Sequence, residues 1–173
     1  MTRRACLLRG VNVGGKNKVA MRELRGLFES LGFTEVETLI QSGNVVFSST
    51  GAVTAATIEA EIRRAFGLEV PVVMRTSTAL TKVLAANPFA DRDTHRLHVA
   101  FLGAKPDSKV VGDLDGGRFA PEEFSVAGTE VYLYLPNGMA RTKLPSYLER
   151  NLKVPMTIRN WNTATKLAEM ARR

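Results

Sequence analysis

Three stretches of this chain combine Gly or Asn with cations where a strand should hand over to a helix. The first is Gly10-Val-Asn-Val-Gly-Gly-Lys-Asn-Lys18. Gly10-x-x-x-x-Gly15-Lys16 satisfies most of a phosphate-loop pattern, in which glycine amides cradle a phosphate and the lysine reaches its outer oxygens. The eighth position is Asn17, where that motif needs Ser or Thr to hold magnesium, and no later strand ends in an aspartate suited to the metal. This argues against a nucleotide hydrolase and leaves anion binding. Gly14 and Gly15 permit close backbone approach, and amides at a helix N-terminus attract anions. Arg9 precedes this stretch, Asn12, Lys16 and Lys18 belong to it, and Arg22 follows it. Cations at that end oppose the helix dipole by roughly 0.3–1 kcal/mol each, a placement that makes sense if an anion sits among them. A solvated basic loop is the plainer alternative.

The second stretch is Asn137-Gly-Met-Ala-Arg-Thr-Lys143, with Asn137, Arg141 and Lys143 as candidate contacts. An ordinary Pro-Asn-Gly turn explains it equally well. The third is Arg159-Asn-Trp-Asn-Thr-Ala-Thr-Lys166. Arg159 and Lys166 lie near the positive end of a helix, Asn160 and Asn162 offer amides, and Trp161 could stack on a base. A lone tryptophan is more often half-buried packing. Ser42-Gly43-Asn44 is turn chemistry that adds Ser42 and Asn44 to the same surface.

Other chemistries find less support. His95 and His98, three apart at the start of a strand, face opposite sides, and no second ligand pair suggests a metal. Cys6 lies in an apolar strand and suits a core. Ser42 lacks a nucleophile elbow and an evident histidine partner. Tyr132 and Tyr134 share a strand face, as stacking aromatics do in RNA-recognition modules, but the signature of that module is absent. No carboxylate pair stands out for acid–base work, and nothing calls for a cofactor.

The elements that must position these stretches follow from periodicity. Ala5 to Val11 reads as a buried strand. Ala20, Leu24, Leu27, Phe28 and Leu31 share a helical face. Val36 to Gln41 and Val45 to Ser48 form a hairpin. Ile58, Ile62 and Phe66 mark a second helix that ends at Gly67. Val70 to Arg75 is a strand, and Ser77 or Thr78 caps a third helix that Asn87-Pro88 stops. The order then repeats. Leu97 to Leu102 is a strand and Asp107 to Leu114 a short helix. Phe124 to Ala127 and Val131 to Leu135 form a hairpin about Gly128. Leu144, Tyr147, Leu148 and Leu152 line a helix, with Asn151 in the place of Gly67. Met156 to Arg159 is the last strand, and Asn162 or Thr163 caps a final helix.

A duplication explains the repetition. Leu68, Val70, Pro71, Arg75, Thr81 and Lys82 recur in register as Leu152, Val154, Pro155, Arg159, Thr165 and Lys166. The expected fold is α+β, an internal duplication of two ferredoxin-like β-α-β-β-α-β units, each followed by an extra helix. The halves are residues 1–88 and 89–173, and whether they are sequential or exchange strands is open. Pro71 and Pro155 fall on the last strand of each unit, at a sheet edge where proline is tolerated.

Bulk properties agree with a small globular protein. The chain has 173 residues, is 45% hydrophobic, and carries a net charge of +7. That surplus permits a polyanionic partner or anionic ligand, or simply an arginine-rich surface. No apolar run approaches a membrane span, no secretory leader is evident, and a single cysteine suits a reducing cytoplasm.

LLRGVNVGGKNKVAMRELRGLFESLGF, IQSGNVVFSS, FGLEVPVVMRT, LYLPNG with RTKL, and RNWNTATKLAEM together resemble a bacterial family catalogued as domain of unknown function 1697. The likeness spans nearly the whole chain, apart from the motif-poor region Lys105 to Glu123. It implies a small cytoplasmic α+β protein with ferredoxin-related halves, and brings no activity or catalytic residues. The leading functional expectation is therefore a binding protein for a phosphate-bearing ligand, nucleotide or nucleic acid, the junctions sharing one cleft if the halves meet about a pseudo-dyad. A small metal-independent enzyme and a structural or interaction protein, monomeric or homodimeric, are the alternatives.

Overall fold

Strand β1 (Thr2–Leu8) carries four consecutive residues, Ala5 to Leu8, with no exposed surface. A strand buried on both faces must be central, and β1 lies between β3 (Asn44–Ser49) and β4 (Val72–Thr76), with β2 (Thr34–Leu39) at the far edge. The order β2-β3-β1-β4 and the antiparallel pairing of every neighbour are those of a ferredoxin-like unit. The computed structural model describes residues 1–173.

Cys6, Leu8, Val45, Phe47 and Val72 point to one face. There they meet Leu24, Leu27 and Phe28 of α1 (Met21–Ser30) and Ile58 and Ile62 of α2 (Ala55–Phe66). Phe47 stacks on Phe33 at 4.5 Å and meets Phe28 edge-on at 5.2 Å. Fully burying each such side chain contributes about 1.5–3 kcal/mol. Helix α2 starts on Thr54, whose hydroxyl accepts from the Thr57 amide, and ends on Gly67 in the left-handed region.

The second half repeats the plan. Strands β5 (Leu97–Leu102), β6 (Glu123–Ala127), β7 (Glu130–Tyr134) and β8 (Met156–Asn160) form an antiparallel sheet of order β6-β7-β5-β8. Helices α4 (Ser108–Gly112) and α5 (Leu144–Leu152) cover it, the first through Val110 and Val111, the second through Leu144, Tyr147, Leu148 and Leu152. Each sheet uses only the strands of its own half, so no strand is exchanged. Helix α3 (Ser77–Ala85) follows β4, and α6 (Trp161–Arg172) follows β8. The chain divides into two compact units, Met1–Lys82 with Lys166–Arg173, and Val83–Thr165. Within the first, Arg3 Nε donates to the Met170 carbonyl at 3.1 Å. Within the second, the Tyr132 hydroxyl donates to the Val83 carbonyl at 2.7 Å.

Several boundaries differ from the sequence expectation for local reasons. The first strand runs from Thr2 to Leu8 rather than from Ala5 to Val11. Arg3 extends it, because its guanidinium is satisfied by the Glu35 carbonyl at 2.9 Å and by Glu37. Gly10, with φ +72°, then breaks it. Helix α5 runs past Asn151, whose side-chain amide donates back to the Tyr147 carbonyl, and Lys153 takes the left-handed terminal position. The caps of α3 and α6 also lie earlier than expected. Thr76 Oγ1 accepts from the Ala79 amide, and Asn160 Oδ1 from the Thr163 amide at 2.8 Å. No helix is long and apolar enough to cross a membrane.

Candidate functional site

The loop after β1 folds on itself. Gly10, Asn12, Gly14, Gly15 and Asn17 all have positive φ. The Asn12 amide donates to the Val19 and Gln41 carbonyls at 2.8 and 2.7 Å, and its oxygen accepts from the Val19 amide at 2.9 Å. Asn17 Nδ2 donates to the Gly10 carbonyl, the Asn12 amide to the Asn17 carbonyl, and the Lys16 amide to the Val13 carbonyl. The Asn12 and Lys16 backbone amides are thus spent inside the loop and are not free to cradle a phosphate. Asn12 pins this loop to the next turn rather than presenting its amide to a ligand.

The Ser42–Asn44 turn is structural as well. Asn44 is fully buried, and its amide donates to the Leu39 carbonyl and to Ser42 Oγ. Arg9 donates its backbone amide to the Pro71 carbonyl at 2.9 Å. Gly14, Gly15, Lys16 and Lys18 stay exposed, and Gly15 and Lys18 line a cleft of about 380 Å³ with Asn12, Val19, Ala20 and Gln41.

The third junction departs furthest from the expectation of a ligand surface. Arg159 is 9% exposed, and its Nη1 donates to Thr157 Oγ1 at 2.8 Å and to the Ile158 carbonyl at 2.9 Å. Its repeat equivalent Arg75 makes the same turn back to the Met74 carbonyl. The recurrence of this arginine in both copies therefore reflects a shared strand architecture. Asn160 is consumed as a helix cap. Trp161 is partly exposed at the first turn of α6 and Asn162 is exposed, while Lys166 pairs with Glu169 at 3.5 Å.

The second stretch leads to a built groove within the second unit. After β7, Gly138 (φ +80°) turns the chain, its amide donating to the Leu135 carbonyl. Thr142 Oγ1 accepts from the Leu144 amide as α5 begins. Lys143, Tyr147 and Arg150 follow at spacings of four and three, which places them on one side of α5. Opposite stands the turn at 115–122. Tyr147 Oη accepts from the Asp115 amide at 2.8 Å, and Asp115 Oδ1 accepts from the Arg118 amide. Phe119 packs on Tyr147 with ring centres 4.8 Å apart, and the Arg118 guanidinium lies over both rings. The Ala120–Pro121 peptide is cis.

The result is a cleft of about 390 Å³. Its cations are Arg118, Arg141, Lys143 and Arg150, its aromatics Phe119 and Tyr147, and its one acid Glu122. A second cleft of about 330 Å³ adjoins it, reaching Asn137 and sharing Phe119, Glu122 and Arg141. All four cations are exposed, and none forms an ion pair. Asn137, Arg141 and Lys143 thus come together, joined by Arg118, Phe119, Glu122, Tyr147 and Arg150, which sequence reasoning passed over. The helical spacing from Lys143 to Arg150 was a readable signal. Arg118 and Phe119 lay in a loop without periodicity.

Outside the groove, Tyr132 is buried, and its hydroxyl is pushed up to about 12 by desolvation and then by Glu130, so it is no stacking platform. His98 is held below the usual imidazole range by burial, with its Nδ1 lacking a partner. No group of His, Cys, Asp or Glu is placed to hold a metal ion.

The fold and the groove define a duplicated ferredoxin-like α+β protein with a basic, aromatic cleft in its second unit. Residues 1–132 match the family described as protein of unknown function DUF1697, and the chain belongs to that family. Among solved structures it is similar to the conserved bacterial protein SP0830 from Streptococcus pneumoniae. The likeness has a TM-score of 0.75 and 29% identity, over 100% of this chain and 99% of that one. No curated protein matches.

Proposed function

We propose that this protein binds a phosphate-bearing ligand, a nucleotide or a nucleic acid, in the groove of its second unit. The observation that carries the reading is the set of four unpaired cations facing two packed aromatic rings. Elsewhere the chain readily pairs its arginines, as in Arg63 with Glu69, Arg25 with Glu29 and Arg92 with Glu123. Gathering four like charges around a single acid, with no ion pair among them, disfavours the folded state and favours an anion that joins them. Guanidinium groups suit phosphate because they present paired donors to its oxygens. The partly exposed ring of Phe119, held in place by the buried Tyr147, offers a surface for a base.

Equilibrium titration of the purified protein at low salt with nucleotides, single-stranded RNA and single-stranded DNA tests this. Binding is expected, and it should weaken as salt rises. The double variant Arg118→Ala, Arg150→Ala should lose at least tenfold in affinity, whereas Lys16→Ala in the first unit should bind as the parent does. Absence of binding by every probe, or equal loss in Lys16→Ala, overturns the assignment.

A further inference from the structure

Resting on that reading, we infer that the natural occupant is a single strand of nucleic acid lying along both adjoining clefts, rather than one nucleotide held in either. Each cleft, at about 390 and 330 Å³, is near the lower end of what a small ligand fills. Neither ends where the other begins, because Phe119, Glu122 and Arg141 belong to both. Arg141 therefore stands where an internucleotide phosphate would pass. Lys143 and Arg150 line the first cleft with Arg118, and Asn137 and Thr142 line the second. A chain with one phosphate per nucleotide spreads its charge over such a path, while a mononucleotide would leave most of these cations unanswered.

Glu122 would meet the bases of such a strand rather than its backbone. It is the only acid lining either cleft, and it has no ion-pair partner among the surrounding cations. A carboxylate repels phosphate at its own position and accepts hydrogen bonds from a base amino group. In a duplex the bases are stacked away from side chains, whereas a single strand can lay a base against Phe119.

Fluorescence anisotropy with competition separates this inference from the broader one. The probes are cytidine monophosphate, cytidine triphosphate and the cytidylate tetranucleotide, as RNA and as DNA. The triphosphate carries at least as much charge as the tetranucleotide, so charge alone would rank it first. The inference expects the tetranucleotide to bind at least tenfold tighter than either. It also expects a salt slope on the order of −2, from about three phosphates contacted at about −0.7 each. Arg141→Ala, at an exposed position, should lower tetranucleotide affinity at least tenfold and that of the monophosphate less than threefold, with the melting temperature confirming the fold. Arg141→Lys should recover part of the loss. If the triphosphate binds as tightly as the tetranucleotide, or if Arg141→Ala weakens all probes equally, the strand is excluded and the groove remains a nucleotide site. If no probe binds, both readings fall.

Discussion

The guanidinium carbon of Arg118 stands 5.4 Å from the centre of the Tyr147 ring, while the hydroxyl of that ring accepts from the Asp115 amide at 2.8 Å. One tyrosine thus holds the turn that carries Arg118 and also supplies the face on which the cation rests. Substitution Tyr147→Phe keeps the ring and removes the acceptor. It should cost about 0.5–1.5 kcal/mol in urea unfolding and lower oligonucleotide affinity several-fold, since the turn is no longer tied to α5. Unchanged binding with lowered stability would separate the turn from the groove.

Removing groove cations should not harm the fold. Arg141→Ala and Arg150→Ala each delete an exposed charge from a cluster whose cations form no ion pair. Function and stability commonly oppose each other at such places. A melting temperature equal to or slightly above the parent's is expected, and a fall of several degrees would show that these residues are structural.

Gly43 and Gly15 both have positive φ, at +80° and +74°, yet they should respond differently to alanine. A Cβ on Gly43 would sit 2.8 Å from Leu8 Cβ and 3.3 Å from Val11 Cβ, while one on Gly15 would meet nothing within 4 Å. Gly15→Ala should cost about 1 kcal/mol, the left-handed penalty alone. Gly43→Ala adds a core clash and should cost roughly 2–4 kcal/mol. Chemical denaturation of the pair reads the difference, and equal effects would mean that the turn shifts to admit the methyl group.

Asn12 makes three hydrogen bonds that link its loop to Val19 and Gln41. Asn12→Ala should therefore destabilise by about 1–3 kcal/mol and raise hydrogen exchange across 10–20. The nucleotide binding proposed for the second unit should be untouched. A binding defect without a stability defect would instead make Asn12 a ligand contact.

Tyr132 supplies a pH dependence. Burial holds its hydroxyl protonated up to about 12, against about 10 in the unfolded chain. The folded state therefore keeps a proton that the unfolded state releases, and the associated stability is fully present below pH 10 and is lost as pH rises from 10 toward 12. Tyrosine absorbance should show an ionisation well above 10 that Tyr132→Phe removes, and the same substitution should flatten the alkaline fall in melting temperature. Loss in Tyr132→Phe of an ionisation near 10 instead would contradict the burial.

Much of the fold was legible because it rests on short-range patterns. The apolar run of β5, the helical spacing of Leu24, Leu27 and Phe28, and the left-handed stop at Gly67 each declare an element locally. The repeat of Leu68 to Lys82 at Leu152 to Lys166 then dictated a two-unit architecture, since two segments with one pattern adopt one topology. Residue types alone also placed cations beside turns at three junctions. What they could not say is where the side chains go. Arg159 and Arg141 read alike in sequence, but one lies along a buried strand with its guanidinium returned to the backbone, and the other stands exposed in a cleft. Asn12 and Asn137 both sit in glycine turns, yet one is spent inside its loop and the other lines the groove. The pairing of Phe119 with Tyr147 joins a turn without periodicity to a helix 28 residues away, and only the folded chain brings them to 4.8 Å. Local chemistry determined the elements and the surplus of positive charge. Long-range packing decided which of those charges remain unpaired, because burial and hydrogen bonding consume a polar group only when a distant segment arrives to meet it.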